Sequence, residues 1–177
     1  MRKIIVLFAF FLSFQTVLVA QQKLNLTNAV VVGLFDRKEE RFEMEIFMSE
    51  LLAENKIKTK ASLNYLKEGA DIVTFASDSV QNVMRNNGFD TYVLVCVRGY
   101  ETTFKPATFK YSLVEELKLG HLFPIYRDET SNVTFEFKIY RGSEMIGYNL
   151  LKVSTPSKEG LKKKLRKKMT KLIKKNW

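Results

Sequence analysis

Residues 29–35 read AVVVGLF, a continuous apolar run rich in β-branched side chains. A strand with one wet face would alternate, so an unbroken run predicts a central strand covered on both sides. Asp36 follows, with Glu39 three positions later. That spacing predicts a helix opened by an Asp cap and a reciprocating Glu, reaching to about Asn55. Within it Met44, Phe47, Met48, Leu51 and Leu52 share a broad face, and Glu39, Glu43 and Glu50 share another. From Ile57 to Tyr65 the chain alternates: Ile57, Thr59, Ala61, Leu63 and Tyr65 point one way, Lys58, Lys60, Ser62 and Asn64 the other. This predicts a strand with one solvated face, near a sheet edge.

Helical spacing returns over roughly Thr74 to Asn87, with Val73, Ala76, Val80, Val83 and Met84 inward. Gly88 fits the left-handed position after a helix, and Phe89 supplies the apolar contact that accompanies such an end. A long strand from Tyr92 to Thr103 comes next, with Gly99 marking a bulge or a close backbone approach. Ser112 and Glu115 are spaced to open a short helix that Gly120 closes. Two more strands, about Val133–Tyr140 and Glu144–Val153, are joined by the turn Arg141-Gly142-Ser143. Val133, Phe135, Phe137 and Ile139 alternate with Thr134, Glu136, Lys138 and Tyr140, which predicts a hairpin with one buried face. Pro156 and Ser157 end the pattern, and a basic amphipathic helix spans 158–176. The order β-α-β-α-β-(short α)-β-β-α implies a single α/β (α+β) domain over 21–177, a mixed sheet with helices packed on it.

Before that domain stands a different texture. Arg2 and Lys3 precede an apolar run from Ile4 to Phe14, and Val19-Ala20 come before Gln21-Gln22. Positive charge, apolar core and small residue, in that order, describe a signal peptide over 1–20, cleaved near Ala20, and place the mature chain in the periplasm. The alternative is an uncleaved anchor, but Ser13, Gln15 and Thr16 leave the run short of the ~20 apolar residues that span a bilayer. No cysteine follows the run to carry a lipid.

Charge is concentrated at the other end. Residues 158–177 hold ten Lys/Arg and one Glu, a net of +9; the leader contributes +2, so against the total of +10 the body, 21–157, stands at −1. The basic character belongs to the last helix.

The opening stretch Val30-Val31-Val32-Gly33-Leu34-Phe35-Asp36, the following helix to Leu51-Leu52-Ala53, and the turn Asn87-Gly88-Phe89-Asp90 into Thr91-Tyr92-Val93-Leu94-Val95 resemble a family of envelope domains. That family includes the curli secretion-channel lipoproteins, the N-terminal domain of the Tol-system propeller protein, and lipoprotein activators of peptidoglycan synthases. With the hairpin and last helix the resemblance covers most of 28–175. It implies a fold of this order and work done by contact with other envelope proteins, with no catalytic residues to carry over. The chain departs from the family in lacking a lipidation cysteine, an insertion for a membrane-spanning barrel hairpin, and a propeller, which argues against a secretion channel.

Candidate chemistry is sparse. His121 is the one histidine and Cys96 the one cysteine, too few for a His/Cys metal site. Cys96 falls inside a strand and reads as packing, and His121 as a loop residue. No serine stands in a nucleophile motif, and no glycine-rich phosphate loop occurs. Asp36, at the carboxyl end of a strand, is the sharpest acidic candidate, although a helix cap accounts for it. Glu115-Glu116 and Asp128-Glu129 are adjacent pairs, which point apart on a helix. No catalytic, cofactor or metal residue is assigned.

The feature that stands out is the last helix. Leu161, Leu165, Met169, Leu172 and Ile173 form a stripe; Lys162, Lys163, Lys164, Arg166, Lys167, Lys168, Lys171, Lys174 and Lys175 fill most of the remaining surface. The stripe is expected to dock on the sheet, leaving the lysines either merely solvated or presented to an anionic surface. The sequence reading is therefore a non-enzymatic envelope protein that supports envelope assembly or maintenance through protein contacts. Its alternative is a peripheral binder of anionic membrane or lipopolysaccharide through that helix. A carboxylate hydrolase ranks third, and nucleic acid is set aside because no aromatic–basic interleaving is present.

Overall fold

The computed structural model describes residues 23–66, 70–100, 109–120, 123–125, 132–155 and 157–177. The leader, His121, the Asp128-Glu129 pair and the strand extension past Tyr100 lie outside these residues. In chain order the elements are β1 (Asn28–Gly33), α1 (Lys38–Glu54), β2 (Lys58–Ala61), α2 (Asp78–Asn86), β3 (Thr91–Gly99), α3 (Leu113–Lys118), β4 (Asn132–Arg141), β5 (Glu144–Ser154) and α4 (Lys158–Asn176). Two 3₁₀ turns, Ser62–Asn64 and Ile72–Ala76, lie between β2 and α2.

The strands form one five-stranded sheet in the order β2-β1-β3-β4-β5. β2, β1 and β3 run parallel, and β4 and β5 are antiparallel additions. This is the mixed sheet that the sequence implies. On one face α1 and α4 pack Met44, Met48, Leu51, Leu161, Leu165 and Met169 against the sheet. On the other, the Ile72–Ala76 turn, α2 and α3 bring Phe75, Met84, Leu113 and Leu117 against Val30, Val32, Tyr92 and Leu94. β1 is therefore covered on both sides, as its unbroken apolar run requires.

Local signals place several boundaries well. Ser112 caps α3 with the reciprocal pair: Ser112 Oγ accepts from Glu115 N at 3.3 Å, and Glu115 Oε2 accepts from Ser112 N at 2.8 Å. Past α2, Phe89 N donates to Met84 O at 2.9 Å and Gly88 N to Arg85 O at 2.8 Å. Gly88 sits at φ +77 between them, the double closure of a left-handed helix end. Gly99 marks a register shift against β4, and the hairpin turn contracts to Gly142-Ser143 with Gly142 at φ +59.

Four expectations need correction. Asp36 does not cap α1: the cap position is Arg37, with no side-chain bond, and Asp36 is exposed. β2 ends at Ala61 rather than near Tyr65. The second difference traces to Glu45, which is fully buried. Its carboxylate accepts from Gly33 N at 2.9 Å, Arg41 Nε at 3.0 Å, Ser62 Oγ at 2.7 Å and Leu63 N at 3.2 Å. It fixes α1 against the end of β1 and draws the chain off the sheet at Ser62. The helix expected over 74–87 is split at Ser77, whose backbone is extended, into a 3₁₀ turn capped by Asp71 and α2 proper. The break changes the helical phase, so Val83 is 51% exposed rather than inward. Finally, the β4–β5 hairpin was expected to bury one face, but on β4 Thr134, Glu136, Lys138 and Tyr140 are buried as well as the apolar set.

Candidate functional site

α4 begins where Ser157 Oγ accepts from Gly160 N at 3.1 Å. From there Leu161, Leu165, Met169 and Ile173 recur at four-residue steps, all buried, while Leu172 packs at the margin. The stripe docks as expected. Trp177 completes the seal: its ring meets Phe137 edge-on at 6.0 Å, and its Nε1 donates to Asn149 Oδ1 at 2.8 Å. Leu24 N and Leu26 N donate to Asn176 O and Trp177 O at 2.9 and 2.8 Å, tying the start of the fold to the end of α4.

Nine of the ten basic residues of α4, those from Lys162 onward, divide into three groups. On the side facing α1, Lys162 pairs with Glu43. Beside it Arg166 pairs with Glu54 at 2.6 Å and Glu50 at 3.7 Å, its guanidinium lying 5.3 Å from the Phe47 ring centre. On the side facing the sheet edge, Lys164 Nζ donates to Ser154 O at 2.6 Å, and Lys168 Nζ donates to Lys152 O. These two lysines occupy carbonyls of edge strand β5, whose open backbone would otherwise invite another strand. The third group is Lys163, Lys167, Lys171, Lys174 and Lys175: all are exposed, and none has a hydrogen bond or ion pair among the described residues. The first four follow i, i+4, i+8, i+11 and so form one row down the outward side of the helix. At its foot Lys174 joins Lys23 and Lys56 around a shallow hollow of about 540 Å³.

Reactive groups gather elsewhere, beneath α3. Lys138 Nζ is 2.6 Å from Glu116 Oε1 and 3.5 Å from Glu136 Oε2. Tyr148 OH donates to Glu136 Oε1 at 2.7 Å, and the Cys96 thiol donates to Glu136 Oε2 at 3.5 Å. Glu116, Glu136, Lys138 and Cys96 are all buried. Burial, reinforced by the Glu136 charge, pushes the Cys96 thiol well above its ordinary value. Burial and the Glu116 and Glu136 charges likewise raise the Tyr140 phenol. A thiol held protonated is the opposite of an activated nucleophile. Cys96 thus packs as expected, but the acid–base cluster around it was not foreseen. Its only sequence signal is a Lys and a Glu on the polar positions of a strand, which an exposed face would show equally. Of the acidic pairs, Glu115 is exposed and Glu116 buried, so they do point apart. Asp36 does not cap α1, and among the described residues it joins no cluster.

No family model matches the chain, and no curated protein matches it. Among solved structures it is similar to the lipoprotein GNA1162 of Neisseria meningitidis, at 11% identity and a TM-score of 0.47, over 84% of this chain and 96% of that one. It is also similar to the PelC dodecamer of Paraburkholderia phytofirmans, at 9% identity and a TM-score of 0.46, over 86% of this chain and 90% of that one. These likenesses concern the course of the chain alone.

Proposed function

We propose that this chain is a non-enzymatic exported envelope protein that works by surface contact with other envelope proteins. One observation carries the reading: among the described residues the clustered reactive groups, Cys96, Glu116, Glu136 and Lys138, are withdrawn beneath α3 and bound to one another, while unpaired charge is turned outward on α4. A photo-crosslinking residue replacing Lys171 tests it in vivo. One discrete envelope protein captured from that position is the expected result; capture no different from that at Asp78, an exposed site on the opposite face, counts against the proposal.

A second reading is favoured by the row Lys163, Lys167, Lys171 and Lys174, which suits the phosphates of anionic membrane or lipopolysaccharide. Exposed charges are screened over ~10 Å at 0.1 M salt, so co-sedimentation with anionic vesicles should weaken steeply as salt rises. Salt-indifferent binding would retire this reading.

A further inference from the structure

α1 and α4 lie side by side on the same face of the sheet and run in the same direction, since Glu43 meets Lys162 and, further along both helices, Glu50 and Glu54 meet Arg166. Each helix has an inner side against the sheet and an outer side away from it. At about 100° per residue, Phe42 and Ile46 stand roughly opposite Met44, the buried side of α1. They are accordingly 58% and 39% exposed. By the same spacing Lys163, Lys167 and Lys174 stand opposite Leu165 and Met169 on α4. The outer surface of this one layer therefore presents an aromatic–aliphatic pair at i, i+4 beside a row of lysines.

A single exposed apolar side chain needs no explanation. A Phe–Ile pair alongside a cationic row is another matter, because the two features together match the depth profile of a bilayer surface. Ammonium groups on long stems reach the phosphates, and apolar side chains enter the acyl boundary ~5–10 Å below. The charge balance suits this occupant. α4 carries +9 and α1 −4, and of the acids of α1, Glu43, Glu50 and Glu54 are paired with Lys162 or Arg166. Glu45 is buried within its own hydrogen bonds. Glu39 is exposed and opposes the lysine row, with Lys38 as its neighbour.

We infer that the outer surface of the α1–α4 layer docks on anionic phospholipid bilayer, with Phe42 and Ile46 entering the acyl boundary and Lys163, Lys167, Lys171 and Lys174 engaging the phosphates. This rests on the anionic-surface reading and adds to it a penetrating apolar element, which separates a bilayer from a soluble polyanion.

The test uses protein purified after export and vesicles of phosphatidylglycerol with phosphatidylcholine. Wild type should co-sediment with them and not with phosphatidylcholine alone. Phe42→Ser/Ile46→Ser should weaken that partition by about tenfold or more while its thermal unfolding stays unchanged, because both side chains are already exposed. In a Phe42→Trp variant the added indole emission should be quenched by brominated acyl chains, above the constant background of buried Trp177. Full binding by the double serine variant, or an unquenched indole, overturns the inference and leaves the lysine reading standing. Absence of wild-type binding to any vesicle overturns both. Self-association that the serine variant abolishes, without lipid binding, assigns the surface to a second copy and likewise overturns the inference.

Discussion

Lys138 stands buried between two carboxylates. Its ammonium is 2.6 Å from Glu116 and 3.5 Å from Glu136, so removing it leaves two acids under α3 without their shared cation. Breaking a buried pair from one side typically costs about 3–5 kcal/mol, because the remaining charge is uncompensated. Lys138→Met keeps the stem and deletes the charge. It should lower unfolding free energy by about that amount in urea titration, with the slope unchanged. Adding Glu116→Gln and Glu136→Gln should recover most of the loss, since the penalty belongs to the stranded charges rather than to the missing contact. A triple variant no more stable than the single one would show that Lys138 acts by packing alone.

At the scale of elements, what the sequence discloses is what short-range chemistry decides. The ends of α3 and α2 were readable because Ser112, Glu115, Gly88 and Phe89 act on backbone groups a few residues away. The docking of α4 was readable because its stripe repeats at the helical period. The end of β2 was not, since Glu45 holds Ser62 from 17 positions away. In sequence it looks like any other glutamate of an acidic helix. The second buried side of β4 was hidden for the same reason: Glu136 and Lys138 read as a wet face until Glu116, about 20 residues earlier, is folded over them. The lysine row was legible as charge, but which lysines stay free depended on α1 and β5. Where the signal is local, its cost can be predicted. Gly88→Ala places a β-carbon on a left-handed residue at φ +77 and should lower stability by about 1–2 kcal/mol. Asn at the same position should lose less, because its side chain tolerates that conformation. Thermal unfolding of the two variants checks the order.

Across the whole molecule, the two faces of the sheet are held by different chemistry. The first is apolar except where Glu45 and Asn149 are held in hydrogen bonds, none of their partners carrying a raised thiol or phenol, and it is closed by Trp177. The second carries titratable groups: burial raises the thiol of Cys96 and the phenols of Tyr92 and Tyr140, and Tyr65, at its margin, is raised as well. Each of these loses its proton more readily when unfolded, so the folded state holds protons that the unfolded state has released. Stability from such groups is fully present below their unfolded values and is lost as pH rises above them. The window opens at about pH 8.5 with the thiol and deepens from about pH 10 with the phenols. Denaturant midpoints should therefore fall through that range, and Cys96→Ala should flatten the early part of the decline without removing the later one. Trp177→Ala supplies the contrast. It acts on the apolar face and should cost about 3–5 kcal/mol by nearly the same amount at pH 7 and pH 10. An alkaline decline that steepens in the Trp177 variant but not in wild type would place the titrating groups on the wrong side of the sheet.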